Sequence, residues 1–127
     1  MAKRPALAKS ELEVARIVWR LGEATVRQVL ERLPAKRGLD FATVQTYLRR
    51  LESKGYLRVR QRGRTNVYAS CVEPRRVLRE VIDDFVDRVF DGETLPLVQH
   101  LIEDGALSDD EIDQLQRTLD RIKEQNP

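Results

Sequence analysis

The chain has 127 residues, 35% charged and 41% hydrophobic, enough for one compact domain or a small domain with an oligomerisation segment, and too few for a large multidomain enzyme. With Cys71 its only cysteine and His100 its only histidine, it is expected to form no intramolecular disulfide and no zinc site of the usual Cys/His ligands, and it is a poor candidate for nucleophile-base catalysis. The net charge of +2 hides a division: residues 1–70 hold 16 Lys/Arg against 6 Asp/Glu, a net of +10, and residues 71–127 hold 7 against 15, a net of −8. Such asymmetry predicts a basic module that touches a polyanion and an acidic module with another task.

In chain order, "MAKRPALAKSELE" is basic and then helical, without the apolar region of a signal peptide, and no apolar run approaches the roughly 18 residues of a membrane span. A cytoplasmic location with no membrane insertion is expected. Ser10 and Glu13 have capping-box spacing, and Leu12, Ala15, Ile17, Val18 and Trp19 supply the apolar side of a first helix over about residues 10–21, stopped by Gly22. Thr25 and Gln28 repeat the box for a second helix carrying Val26, Val29, Leu30 and Leu33, ended by Pro34. Asp40 is placed to cap a third helix running to about Lys54 and closed by Gly55, with Phe41, Val44, Leu48 and Leu51 as its buried stripe.

"YLRVRQ" and "TNVYAS" read as two strands joined by the turn "RGRT". Leu57 and Val59 alternate with Arg58 and Arg60; in the second strand either Val67 and Ala69 or Tyr68 faces inward, depending on register. From Pro74, Leu78, Val81, Ile82, Phe85, Val86 and Val89 mark a long amphipathic helix. "DGET" breaks it, "LPLVQHLIED" forms a shorter helix with Leu97 and Leu101, and Ser108 with Glu111 caps a last one bearing Ile112, Leu115, Leu119 and Ile122. So short a region cannot readily bury three apolar stripes alone, and the economical solution is a second copy. The predicted fold is mainly α with a small β-hairpin: an N-terminal winged helix-turn-helix over residues 1–71, then a three-helix dimerisation region over residues 72–127.

The third helix turns Ala42, Thr43, Thr46, Arg49, Arg50 and Ser53 outward, with Gln45 on the flank. Arginine reads guanine O6 and N7 with two donors, threonine bonds a base edge or presses its methyl on thymine, and a small residue lets the helix approach the groove floor. Arg60, Arg62 and Arg64 of the hairpin and Lys36 and Arg37 of the loop add charge of the same sign. Arginine's planar fork matches phosphate bidentately. Arg62 and Arg64 at the tip are the stronger candidates, while Arg58 or Arg60 is placed either to bury its stem in packing against the helices or to pair with Glu52. Double-stranded DNA is the expected partner. A winged-helix adaptor for protein partners, a nonspecific architectural binder and an enzyme are the alternatives, and no cofactor or metal is expected.

"TVQTYLRRLESKGYL", residues 43–57, resembles the T-V-x-T-x-L-x-R-L-x-x-K-G-x-L signature of the BlaI/MecI family of penicillinase repressors. The likeness extends to "SELEVARIVW", to the "VY" of the second strand and to "FDGETLPLVQHLIEDGALSDDEIDQL". It implies a homodimeric winged-helix repressor on a palindromic operator, with contacts from Thr43, Gln45, Thr46 and Arg50 and from a wing at Arg60 to Arg64. Several members have lysine where Ala42 stands. It also implies inactivation by cleavage in the dimerisation region, signalled by a membrane sensor-protease. Aligning Leu97 and Val98 places the cut at His100-Leu101, where staphylococcal members have Asn-Phe. The cysteine cluster of a copper-responsive sister branch has no counterpart in "RIKEQNP".

Overall fold

The computed structural model describes residues 4–126. Its elements in order are α1 (Lys9–Leu21), β1 (Glu23–Ala24), α2 (Val26–Arg32), a 3-10 turn (Ala35–Arg37), α3 (Phe41–Ser53), β2 (Leu57–Arg62), β3 (Thr65–Ser70), α4 (Pro74–Phe90), α5 (Thr94–Glu103) and α6 (Asp109–Gln125). The fold is mainly helical, as expected, but the hairpin is part of a three-stranded antiparallel sheet of order β1-β3-β2. Two residues are too few for a period-2 pattern to register, so β1 exists only because β3 lies beside it.

The first helix starts two residues earlier than its capping-box spacing suggests. Ala8 is the N-cap and offers no side-chain acceptor, so the cap is half made: Glu11 Oε1 accepts the Ala8 N–H at 2.8 Å. Glu11, 1% exposed, is held from across the fold, because Lys54 Nζ lies 2.6 Å from the same oxygen and also donates to Ala6 O at 3.0 Å. Burial pushes the Glu11 pKa up. The Lys54 hydrogen bond, the Ala8 N–H and the charges of Lys54 and Arg50 together outweigh it, leaving the carboxyl below its ordinary value. Ser10 and Glu13, expected as a capping pair, instead receive Arg37, at 3.2 Å to Ser10 Oγ and 2.9 Å to Glu13 Oε1. The second and third helices are capped as expected. Thr25 and Gln28 exchange hydrogen bonds of 2.9 and 3.1 Å, and Asp40 Oδ1 accepts the Thr43 N–H at 2.8 Å.

Val14, Ala15, Val18, Val29, Val44, Leu48 and Leu51, all 0% exposed, join α1, α2 and α3 in one core, closed by Leu57 and Tyr68 of the sheet and Val77 of α4. Each fully buried Val or Leu side chain among them contributes about 1.5–3 kcal/mol. Phe41 is a correction: expected in that stripe, it is 41% exposed, because it opens α3 beyond the last core layer and is covered instead by the Arg27 guanidinium, 5.7 Å from its ring centroid.

Strand register resolves which residues face inward. Val59 pairs with Tyr68, Arg60 with Val67 and Glu23 with Ala69, and directly opposed residues share a face. Tyr68 therefore joins Leu57 and Ala24 in the main core, while Val67, also buried, and Ala69 lie on the arginine face of the sheet. Gly63 takes φ +66 at the first central position of the turn, the requirement of a II′ hairpin turn, so any side chain there strains the wing tip.

The chain forms two compact units, one through Val81 and one from Ile82 onward, the division falling within α4. In the second unit Ser108 and Glu111 cap α6 as expected. Val86 is buried and Phe85 stands 6.1 Å from Phe90 between ring centroids. Among the described residues no helix is long and apolar enough to cross a membrane.

Candidate nucleic-acid interface

The third helix is anchored by Val44, Leu48 and Leu51, which point into the core, so its other side is forced outward. Ala42, Thr46, Arg49 and Arg50 are exposed, and Thr43 and Gln45 are half-buried on its flanks. Thr43 supports the helix start: its side chain and N–H both bond Asp40, holding that carboxyl below the ordinary carboxylate range. Thr46 Oγ1 donates to Ala42 O at 3.0 Å, leaving the hydroxyl oxygen's acceptor positions for a donor on a base edge. Arg50 acts electrostatically on Glu11 of α1 and Arg49 on Tyr68 of β3, so the two charges flank the helix on different sides. Burial raises the Tyr68 pKa, against the pull of Arg49.

The wing arginines divide into two groups. Arg60 and Arg62 both turn toward Glu23, at 2.8 and 2.6 Å, with their side chains 61% and 63% exposed. The ion pair expected as one alternative for Arg58 or Arg60 was with Glu52; the partner of Arg60 is instead Glu23, because β1 brings it to the arginine face of the sheet. The same two hydrogen bonds, Arg62 first, hold the Glu23 carboxyl below its ordinary range. Arg64 instead lines a cleft of about 430 Å³ with Gln45 and Phe41 at the start of α3, Thr25 and Arg27 at the start of α2, and Asn66 of β3. Recognition helix, second helix and wing tip thus converge on one concavity rimmed by two guanidinium groups. Arg37, counted with the basic loop by its sequence position, is engaged by Glu13 and Ser10.

Arg27 and Glu23 were missed by sequence reasoning. Arg27 was legible in principle, since it sits on α2 between buried Val26 and Val29 and must point away from them. Glu23 had no local signal, because its role depends on strand pairing.

The residues expected at a dimer interface are largely uncovered. Leu78 is 39% exposed, Ile82 55%, Phe85 41%, Val89 57%, Leu101 47% and Leu119 48%, while Val81, Leu97 and Leu115 are half-buried. The His100-Leu101 bond lies inside α5, with His100 Nε2 2.9 Å from Asp104.

A three-helix core, a short sheet with a basic wing and an outward-facing third helix define a winged-helix DNA-binding protein. The family model described as "Penicillinase repressor" matches residues 7–121. The chain therefore belongs to the penicillinase repressor family, which is one of DNA-binding transcriptional repressors and not of enzymes. It is 28% identical over 123 residues to a penicillinase repressor of Bacillus licheniformis, covering 97% of this chain and 96% of that one. It is 27% identical over 115 residues to the methicillin resistance regulatory protein MecI of Mammaliicoccus sciuri, covering 91% and 94%. Among solved structures, the DNA-binding domain of the repressor BlaI is similar at a TM-score of 0.51 and 31% identity, over 58% of this chain and 90% of that one.

Proposed function

We propose that the protein is a homodimeric, sequence-specific repressor that occupies a near-palindromic operator in the cytoplasm. Residues 1–71 form the DNA-binding domain and residues 72–127 the dimerisation domain. Each α3 enters a major groove, where Ala42, Thr43, Gln45, Thr46, Arg49 and Arg50 meet bases and flanking phosphates, while Arg60, Arg62 and Arg64 grip the backbone. The dimer buries Leu78, Val81, Ile82, Phe85, Val89, Leu97, Leu101, Leu115 and Leu119. The observation that carries this reading is the pairing of an outward basic α3 and wing tip on one cleft with apolar stripes left open on the acidic tail. The names of the relatives, penicillinase repressor and methicillin resistance regulator, support repression as the outcome of binding.

Relief of repression follows from the same layout. A cut at His100-Leu101, signalled through a membrane sensor-protease, divides α5 and removes part of the dimer surface, so the two recognition helices no longer act together. Because the bond is helical, the protease must bind a locally unwound α5.

The test is selection of bound fragments from genomic DNA, followed by titration of the recovered site against salt. If about 8 phosphates are neutralised per dimer, log K falls with log salt at a slope of about −7. A salt-independent affinity, or selection of no defined sequence, overturns the reading and favours a protein-interaction adaptor.

A further inference from the structure

Glu23 is the one carboxylate on the arginine face of the sheet among the described residues. Its main chain is fixed opposite Ala69 by the β1–β3 ladder, and its two carboxylate oxygens each take a wing guanidinium: Oε1 that of Arg62 at 2.6 Å and Oε2 that of Arg60 at 2.8 Å. Arginine engages carboxylate and phosphate through the same planar fork, so Glu23 offers these arginines the same kind of acceptor as a phosphate of the duplex. Both pairs are solvent-exposed, and exposed pairs are individually weak enough for a polyanion to displace. Glu23 and Arg62 themselves line a cleft of about 270 Å³ together with Thr25, Gln28, Thr65 and Val67, whose hydroxyls and amide offer Glu23 other polar partners once its arginines turn to phosphate.

We propose that Glu23 is a specificity-determining residue of the DNA interface: it withholds Arg60 and Arg62 from phosphates, so that DNA lacking base contacts with α3 is bound poorly. The inference rests on the DNA-binding reading above. Binding to nonspecific DNA comes almost entirely from phosphate contacts, so each contact that must first displace a carboxylate is lost from a large share of that affinity. At the operator, base contacts from α3 hold the duplex while the arginines exchange partners, and the loss is a smaller share.

The test compares Glu23→Gln with Glu31→Gln, which makes the same charge change on α2 away from the wing. Anisotropy titrations use a short random-sequence duplex and the operator recovered by genomic selection. Glu23→Gln is expected to bind the random duplex several-fold tighter than either wild type or Glu31→Gln at low salt, to gain less on the operator, and to lose the difference as salt rises. Glu23→Ala repeats the gain if its melting curve matches wild type. Equal effects of Glu23→Gln and Glu31→Gln, or weaker binding by a folded Glu23→Gln, overturn the inference while leaving the DNA-binding reading intact. A wild-type protein with no salt-dependent DNA binding overturns both.

Discussion

In the unit through Val81, Val14, Val44, Leu48 and Leu51 are fully enclosed, whereas from Ile82 onward Ile82, Val89, Leu95 and Leu119 stay between 48% and 64% exposed. The two regions have comparable periodic apolar patterns. What differs is closure: α1, α2, α3 and the sheet supply each other's missing faces, while the apolar stripes from Ile82 onward remain open. The charge follows the same division, +10 over residues 1–70 and −8 over residues 71–127. A self-sufficient basic module can keep its outer surface for a polyanion. An acidic region with open stripes is suited to its own copy, since its negative charge keeps it off the DNA.

The largest effect expected from this contrast is on operator binding. Replacing Ile82→Asp and Phe85→Asp together puts charge on the open stripe, so the protein sediments as a monomer and loses about 10²–10⁴-fold in affinity for the full operator, the usual gain from bivalency, while half-site affinity stays unchanged. A variant that remains dimeric breaks the comparison. Next, Leu48→Ala in the closed core costs about 2–5 kcal/mol, read as a loss in Tm independent of protein concentration. Leu119→Ala, on a half-exposed site, costs less, and its Tm loss is expected to depend on concentration, because in the proposed dimer a second copy covers the stripe.

Smaller still, Arg64→Ala weakens operator and random DNA alike and reduces the salt slope by about 1 per chain, as removal of a phosphate contact does. A change in base preference instead would move Arg64 from backbone to base reading. The subtlest test is acid sensitivity. The Glu11 pKa is lowered in the folded chain, so its pairing with Lys54 stabilises fully above the ordinary carboxyl value of 4.5 and is lost as pH falls through the lowered folded value. Urea midpoints of wild type and Glu11→Gln are therefore expected to differ at neutral pH and to converge in acid. Parallel curves would mean the carboxylate charge carries none of that stability.

Legibility in the sequence tracked the range of the interactions. The Thr25/Gln28 and Ser108/Glu111 boxes close within three residues, so their spacing predicted the caps found. The Ser10/Glu13 box, equally good in spacing, is not formed, because Arg37 takes both side chains and Glu11 finds Lys54, 43 positions away. Phe41 satisfied the helical period and still missed the core, since periodicity states direction around a helix and not how far along it the packing extends. The outward side of α3 was readable because the residues opposite it had to be buried; the cleft joining Arg27, Gln45 and Arg64 was not, since it is formed by three elements.

By itself the sequence determined the helical order, most of the caps, the basic wing after the third helix and the split in charge, all properties of spacing and composition within a few residues. Only tertiary structure decided that Glu23 joins the sheet, that Tyr68 packs into the main core while Val67 is buried on the arginine face, and that Arg60 and Arg62 share a carboxylate while Arg64 faces the recognition helix. Those outcomes depend on which strands pair and in what register, and a one-residue shift would have sent every one of these side chains to the opposite face.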